Sequence, residues 1–129
     1  MIYGIGTDIV RVARMQQNID KHGERFAARI LTEQELAEYR QAVHPAHFLA
    51  KRFAAKEATA KAMGTGFRNG LSLRNIAVGH DEHGKPLLIL TGEAQALACR
   101  HGIRESHLSL ADENEYAVAF VTLVNGRAG

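Results

Sequence analysis

Between Ala50 and Gly66 the chain sets six alanines (Ala50, Ala54, Ala55, Ala58, Ala60 and Ala62) among Arg52, Phe53, Lys56, Glu57 and Lys61. It then meets Gly64-Thr65-Gly66. Alanine is the strongest helix former and adds little bulk, so neighbouring backbones can come close to such a helix. Because small residues occur on nearly every side, the helix is expected at the centre of the fold rather than on its surface. Pro45 suits a first helical turn and the glycines suit a stop, which predicts one long helix from Pro45 to about Met63.

The remaining segments read as short elements around that helix. Met1 to Gly6 predicts a buried strand ending at Thr7-Asp8. Val12, Met15 and Ile19 give helical spacing from Val10 to about Lys21, closed by Gly23, and Glu24 to Leu31 reads as a short helix. Thr32-Glu33-Gln34-Glu35 is a capping box opening a helix to about Ala42. Ile76–His80 and Pro86–Leu90 predict a hairpin through Asp81–Lys85. Thr91 starts a helix that stops at Gly102, and Ser106–Ala111 and Tyr116–Val124 predict strands around the Asp112–Glu115 turn. The condensed order is β-ααα-ββ-α-ββ. Hairpins in place of regular βαβ units argue for an α+β fold, a single domain over residues 1–129 with an antiparallel sheet packed on the long central helix.

Composition removes several classes of function. With 129 residues, 46% hydrophobic and 23% charged, the chain has enough apolar content to fold as one globular domain. Cys99 is alone, so no internal disulfide or thiolate metal cluster forms, and it is expected as a small buried hydrophobe on a helix. No apolar run approaches the roughly 18 residues of a membrane span, and no signal-peptide pattern opens the sequence, so a soluble cytoplasmic protein is expected. Seven histidines show no metal-ligand spacing, and His44-x-x-His47 reads as solvent-facing rather than as a zinc pair. Arg11, Arg14, Lys21, Arg25 and Arg29 recur so that several share one side of the first two helices. A net charge of +2 and the lack of an aromatic platform argue against nucleic-acid binding there.

The central helix also carries the candidate chemistry. Glu57 and Lys61 fall on one face, with Phe53 a turn earlier, while Arg52 and Lys56 occupy another. Glu57 has two readings: an i,i+4 ion pair with Lys61, or a ligand for a hard cation that leaves Lys61 to meet phosphate oxygens. Mg²⁺ commonly takes only one or two protein carboxylates and completes its shell with water and substrate phosphates. Asp8, after the glycine-flanked strand Gly4-Ile5-Gly6, is the natural second carboxylate; its alternative is an N-cap for the helix near Val10. Gly4-x-Gly6 lacks a dinucleotide fingerprint and Gly64-Thr65-Gly66 lacks the lysine of a P-loop, so these glycines indicate only that backbone can approach a ligand.

Ile2-Tyr3-Gly4-Ile5-Gly6-Thr7-Asp8-Ile9 and Arg52-Phe53-Ala54-Ala55-Lys56-Glu57-Ala58, continued by Lys61-Ala62-x-Gly64-Thr65-Gly66, resemble the holo-[acyl-carrier-protein] synthase family of small 4'-phosphopantetheinyl transferases. Arg25-Phe26-Ala27-x-Arg29-Ile30-Leu31-Thr32, Gly84-Lys85-Pro86, Ser109 and Glu115-Tyr116-Ala117 extend the resemblance nearly end to end. It implies transfer of 4'-phosphopantetheine from coenzyme A to a serine of apo acyl carrier protein, with Mg²⁺, in fatty acid biosynthesis. It also implies a homotrimer with active sites between subunits. By the same resemblance Asp8 and Glu57 hold the metal and act with Lys61 in catalysis. Arg52, Lys61, Gly64, Thr65 and Gly66 contact coenzyme A, and Pro86, Ser109 and Asp112 reach it from the adjacent subunit. Some members have histidine at the position of Asp112, so no histidine contact is implied here. Arg14, Met15, Arg25, Phe26 and Arg29 are implied to dock the carrier. A module that binds carrier or coenzyme A without turnover is the rival reading.

Overall fold

The computed structural model describes residues 1–68 and 70–126. Its elements are β1 (Ile2–Arg11), α1 (Val12–His22), α2 (Glu24–Ile30), α3 (Glu33–Gln41) and α4 (Pro45–Met63), then a 3₁₀ turn (Leu73–Asn75), β2 (Ile76–His80), β3 (Pro86–Leu90), α5 (Gly92–Arg100), β4 (Ile103–Asp112) and β5 (Tyr116–Asn125). The architecture is α+β, as expected. Four helices precede the first hairpin, as the segments read singly have them; the condensed order leaves out one of the four, and Gly23 separates α1 from the short α2 as read. β1, β5 and β4 form an antiparallel sheet in that order, and β2 and β3 form a separate antiparallel pair with the predicted bounds.

The central helix is buried nearly all round. Leu49, Ala50, Ala54, Ala55, Ala58, Ala60, Ala62 and Met63 all lie in the core. β1 and β5 pack on it, and the contact with β1 depends on the absence of side chains. A Cβ at Gly4 would overlap the carbonyl oxygen of Ala62, and one at Gly6 would overlap that of Ala58. The two glycines therefore bring an extended strand onto a helix backbone, two residues before Asp8.

β1 departs from the expected buried strand in length and exposure. It continues to Arg11 because β5 offers it partners as far as Tyr116, so Asp8 sits within the strand opposite Ala119. Ile5 and Ile9 are 55% and 62% exposed while Gly6 and Val10 are buried, the alternation of a strand covered on one face. Arg11 occupies the N-cap of α1, which excludes the capping alternative for Asp8. β4 also starts earlier than Ser106, since β5 pairs with it from Ile103.

α3 and β2 are tied to α4 through a buried ionic cluster. Glu35 closes the predicted capping box, its carboxylate accepting from the Thr32 amide at 3.0 Å while its own amide donates to Thr32 Oγ1. The same carboxylate accepts from Lys56 Nζ at 2.7 Å, the Val78 amide at 2.9 Å and Arg52 Nη1 at 3.4 Å. Lys56, fully buried, also donates to the carbonyls of Leu73 and Ile76 at 3.1 and 2.6 Å. Desolvation acts on both partners and pulls Lys56 below the ordinary lysine range. On Glu35 burial works upward, but the Lys56 charge and hydrogen bond with the Thr32 and Val78 amides outweigh it, and the carboxyl ends below its usual range. The Glu35 direction governs the pair, since several donors converge on a carboxylate that needs its charge to accept them all.

Cys99 lies on α5 as expected but is exposed, not buried. The end of β5 is attached as far as Gly126: the Asn125 amide donates to the Met1 carbonyl and the Gly126 amide to that of Gly102. Arg127–Gly129 lie outside the described residues.

The strand–helix approach predicts a contrast between two glycines. Gly6→Ala is expected to lower unfolding free energy by about 3 kcal/mol or more, because helix backbone cannot yield to the methyl. Gly79→Ala, where the methyl meets only the tip of the Ile89 side chain, is expected to cost far less. Urea denaturation of both variants checks this, and equal midpoints would contradict it.

Candidate active site

Two acidic side chains distant in sequence come together where β1 crosses α4. Asp8 projects from the covered face of β1, its side chain only 16% exposed, and Lys61 Nζ donates to Asp8 Oδ1 at 2.9 Å. The same ammonium donates to the Thr7 carbonyl at 3.0 Å. Glu57 is half-buried one helical turn before Lys61. Its carboxyl is raised above the usual range by burial first and by the Asp8 charge second, with Lys61 acting against both. Asp8 and Glu57 thus feel one another as like charges. The i,i+4 ion pair expected on simple grounds is not what forms, because Lys61 turns to Asp8 instead.

The glycine turn closes this end of α4. Gly64 adopts a left-handed cap (φ 81°) and its amide donates to Lys61 O at 3.0 Å, while the Gly66 amide reaches Ala60 O at 3.4 Å. Both amides are therefore committed to helix carbonyls. Thr65 Oγ1 donates to Gly66 O.

Other predicted residues lie elsewhere. Arg52 is 5% exposed, and its Nη1 donates to Glu35, Glu38 and the Val78 carbonyl, with the guanidinium 4.4 Å above the Phe48 ring. Its expected phosphate contact is corrected: the charge is consumed inside the fold. Pro86 opens β3 opposite His80. Ser109 is exposed on β4 opposite Phe120. Asp112 lies 3.8 Å from Lys51 and lines a cleft of about 480 Å³ with Val43, His44, His47 and Phe48.

On the docking side, Arg14, Arg25 and Arg29 are exposed and Phe26 is half-buried. Met15 is 2% exposed and belongs to the core, which corrects its expected role as a contact for a partner. Sequence reasoning missed the Glu35–Lys56 pair, although both its signals were visible: the capping box, and a lysine one turn after Arg52.

The donor set at Asp8 and Glu57 is all oxygen. Among the described residues no three His, Cys, Asp or Glu side chains gather to cage an ion. Two partly buried carboxylates that repel each other, with only oxygen to offer, fit a hard divalent cation such as Mg²⁺.

A family model described as the 4'-phosphopantetheinyl transferase superfamily matches residues 4–121. The holo-[acyl-carrier-protein] synthase of Halorhodospira halophila is 55% identical over 126 residues, 98% of this chain and 100% of that one. The crystal structure of the Neisseria meningitidis holo-[acyl-carrier-protein] synthase superposes with a TM-score of 0.92 at 49% identity, covering 97% of this chain and 100% of that one. The Bacillus anthracis synthase in complex with CoA (3',5'-ADP) gives 0.81 at 38% identity, covering 98% and 99%. The chain belongs to the 4'-phosphopantetheinyl transferase superfamily, and within it to the holo-[acyl-carrier-protein] synthases.

The mutual repulsion at the site has a measurable sign. Asp8→Asn removes a neighbouring negative charge, so the Glu57 carboxyl is expected to titrate at lower pH, while burial keeps it above a free glutamate. Lys61→Met removes a positive charge and is expected to move it higher. Carboxyl ¹³C NMR titrations check both directions, and an unmoved Glu57 would show that the two carboxylates do not share a site.

Proposed function

We propose that this chain transfers the 4'-phosphopantetheine of coenzyme A to a serine of apo acyl carrier protein, releasing adenosine 3',5'-bisphosphate and supplying holo carrier for fatty acid synthesis. The observation that carries this is the juxtaposition of Asp8, Glu57 and Lys61 in a chain of this family. Asp8 and Glu57 would hold Mg²⁺, which when bound neutralises charge on the diphosphate as a Lewis acid. Lys61 would place an ammonium against the phosphate oxygens. With the Gly64 and Gly66 amides already bonded, the turn would meet coenzyme A through Thr65 and the bare glycine surfaces. In the transfer the carrier serine oxygen bonds to the pantetheine-side phosphorus and the bridging P–O bond breaks, its electrons leaving with adenosine bisphosphate. The serine proton goes to a base. A carboxylate of the site, Glu57 or Asp8, would take it directly or through one water.

The carrier surface is read as Arg14, Arg25 and Arg29 with Phe26. Their exposed positive charge would steer an acidic partner, and the half-buried ring would give it an apolar seat. A homotrimer is part of the same proposal. Ile5 and Ile9 on β1 and Tyr116, Val118 and Phe120 on β5 are between 36% and 62% exposed on one face of the three-stranded sheet. That is a continuous apolar surface of the kind a subunit interface covers. Pro86, Ser109 and Asp112 would serve the nucleotide bound at a neighbouring subunit. Among the described residues no helix is long and apolar enough to cross a membrane, and a cytoplasmic location is proposed on the substrates alone.

A mass measurement on apo carrier protein incubated with the chain, coenzyme A and Mg²⁺ tests the transfer. A gain of one phosphopantetheine is expected. Glu57→Gln should slow it at least about a hundredfold, and Arg14→Glu should raise KM for carrier roughly tenfold while leaving KM for coenzyme A unchanged. Tight carrier binding with no mass gain would instead establish the binding-module reading. Assembly is tested separately: sedimentation equilibrium is expected to give the mass of three chains, and Phe120→Asp to release single ones. A wild-type chain that sediments as a monomer would remove the trimer.

A further inference from the structure

Lys61 is not free in this structure. Its ammonium rests on Asp8 Oδ1 at 2.9 Å and on the Thr7 carbonyl at 3.0 Å. A carboxylate oxygen beside a carbonyl oxygen, both on a strand fixed by pairing to β5, is a hard-oxygen donor set that also suits a divalent ion. The lysine fills it with one positive charge. It holds that place loosely, since its side chain is 53% exposed and hangs on a flexible four-carbon stem. Glu57, a turn away on the same helix, is left without an ion-pair partner among the described residues.

We propose that Lys61 is the resident counter-ion of Asp8 in the ligand-free chain, and that it must leave Asp8 before a divalent cation can bind across Asp8 and Glu57. The proposal rests on the assignment of those two carboxylates to the cation made above. An ammonium and a divalent ion repel, so they cannot share one carboxylate oxygen at full strength. Displaced on its own, Lys61 has only water to turn to. Displaced in the presence of a diphosphate, it gains a new anion within its reach. Cation and diphosphate therefore bind cooperatively through the lysine: weakly one at a time, and more tightly together than the separate affinities suggest. By linkage the coupling is the same whichever ligand arrives first. The lysine thus sets the condition under which the site charges, in addition to touching the substrate.

Mn²⁺ titrated calorimetrically into the full chain without coenzyme A tests this. Lys61→Met, which keeps the length and removes the charge, is expected to bind Mn²⁺ on the order of tenfold more tightly than wild type. Added coenzyme A should raise the Mn²⁺ affinity of the wild type by a larger factor than that of the variant. Lys61→Gln should behave in the same direction and stands in if the methionine variant fails to fold by circular dichroism. Equal or weaker Mn²⁺ binding by the neutral variants overturns the proposal, as does undetectable binding by every chain, because removing a competitor must unmask the site. Asp8→Asn separates the two levels. If it binds Mn²⁺ as the wild type does, the cation assignment itself fails. If it loses Mn²⁺ while Lys61→Met matches wild type, only the counter-ion proposal fails.

Discussion

The close approach of β1 to α4 governs everything else in this chain. Gly4 and Gly6 lie against the carbonyls of Ala62 and Ala58, and a methyl at either glycine would collide with helix backbone. Side chains alternate along a strand, so Asp8 projects toward the same helix as Gly6. On the helix, Ala58 and Ala62 are the immediate neighbours of Glu57 and Lys61. One backbone contact thereby fixes the relation of the three candidate site groups, Asp8, Glu57 and Lys61, which come from positions about fifty residues apart. A larger residue at any of the four small positions would widen the gap before it altered any charge.

α4 uses its charges in two different ways on two faces. Toward α3 and β2, Arg52 and Lys56 are buried and their donors find Glu35, Glu38 and backbone carbonyls. Breaking such a buried pair by removing one partner strands the other charge, which makes the cluster a lock on the rotation of the helix. Toward β1, Glu57 and Lys61 are half open and incompletely satisfied, with Glu57 raised above its usual range. The locked face holds the open face in place. On the proposed reading the site would accept a cation and a diphosphate, so it would not be saturated by its own protein, and the rigidity would come from elsewhere on the same helix.

Much of this was legible in the sequence, for identifiable reasons. Local rules found the capping box at Thr32–Glu35, the Ile76–His80 and Pro86–Leu90 strands and the glycine stop of α4, since each is decided within a few residues. The alanine pattern correctly implied a central helix. What local reading could not see was set by partners far along the chain. β1 runs on to Arg11 because β5 pairs with it, and Arg52 is consumed by Glu35 and Glu38 across 17 and 14 positions of sequence. Met15 sits on an amphipathic helix, where spacing alone does not say which apolar residue reaches the core and which reaches a partner. The site followed the same division: Asp8 and Glu57 were nominated by residue type, but the engagement of Lys61 with Asp8 depends on packing.

Strand parity gives the reason a single copy is an incomplete enzyme on the proposed reading. Across the sheet, Asp8 pairs with Ala119 and Ala119 with Leu110, whereas Ser109 pairs with Phe120 and Phe120 with Thr7. Residues in adjacent rows point to opposite faces, so Asp8 faces α4 while Ser109 and Phe120 face outward. The sheet itself stands between a ligand held at Asp8 and Ser109 of the same chain. If both touch one coenzyme A, they come from different copies. On the proposed reading the exposed apolar residues that flank Ser109 would have a purpose that solubility alone argues against: covering them would carry Ser109 to the neighbouring site. Interface and nucleotide pocket would then be one requirement, imposed by the two-residue period of a strand.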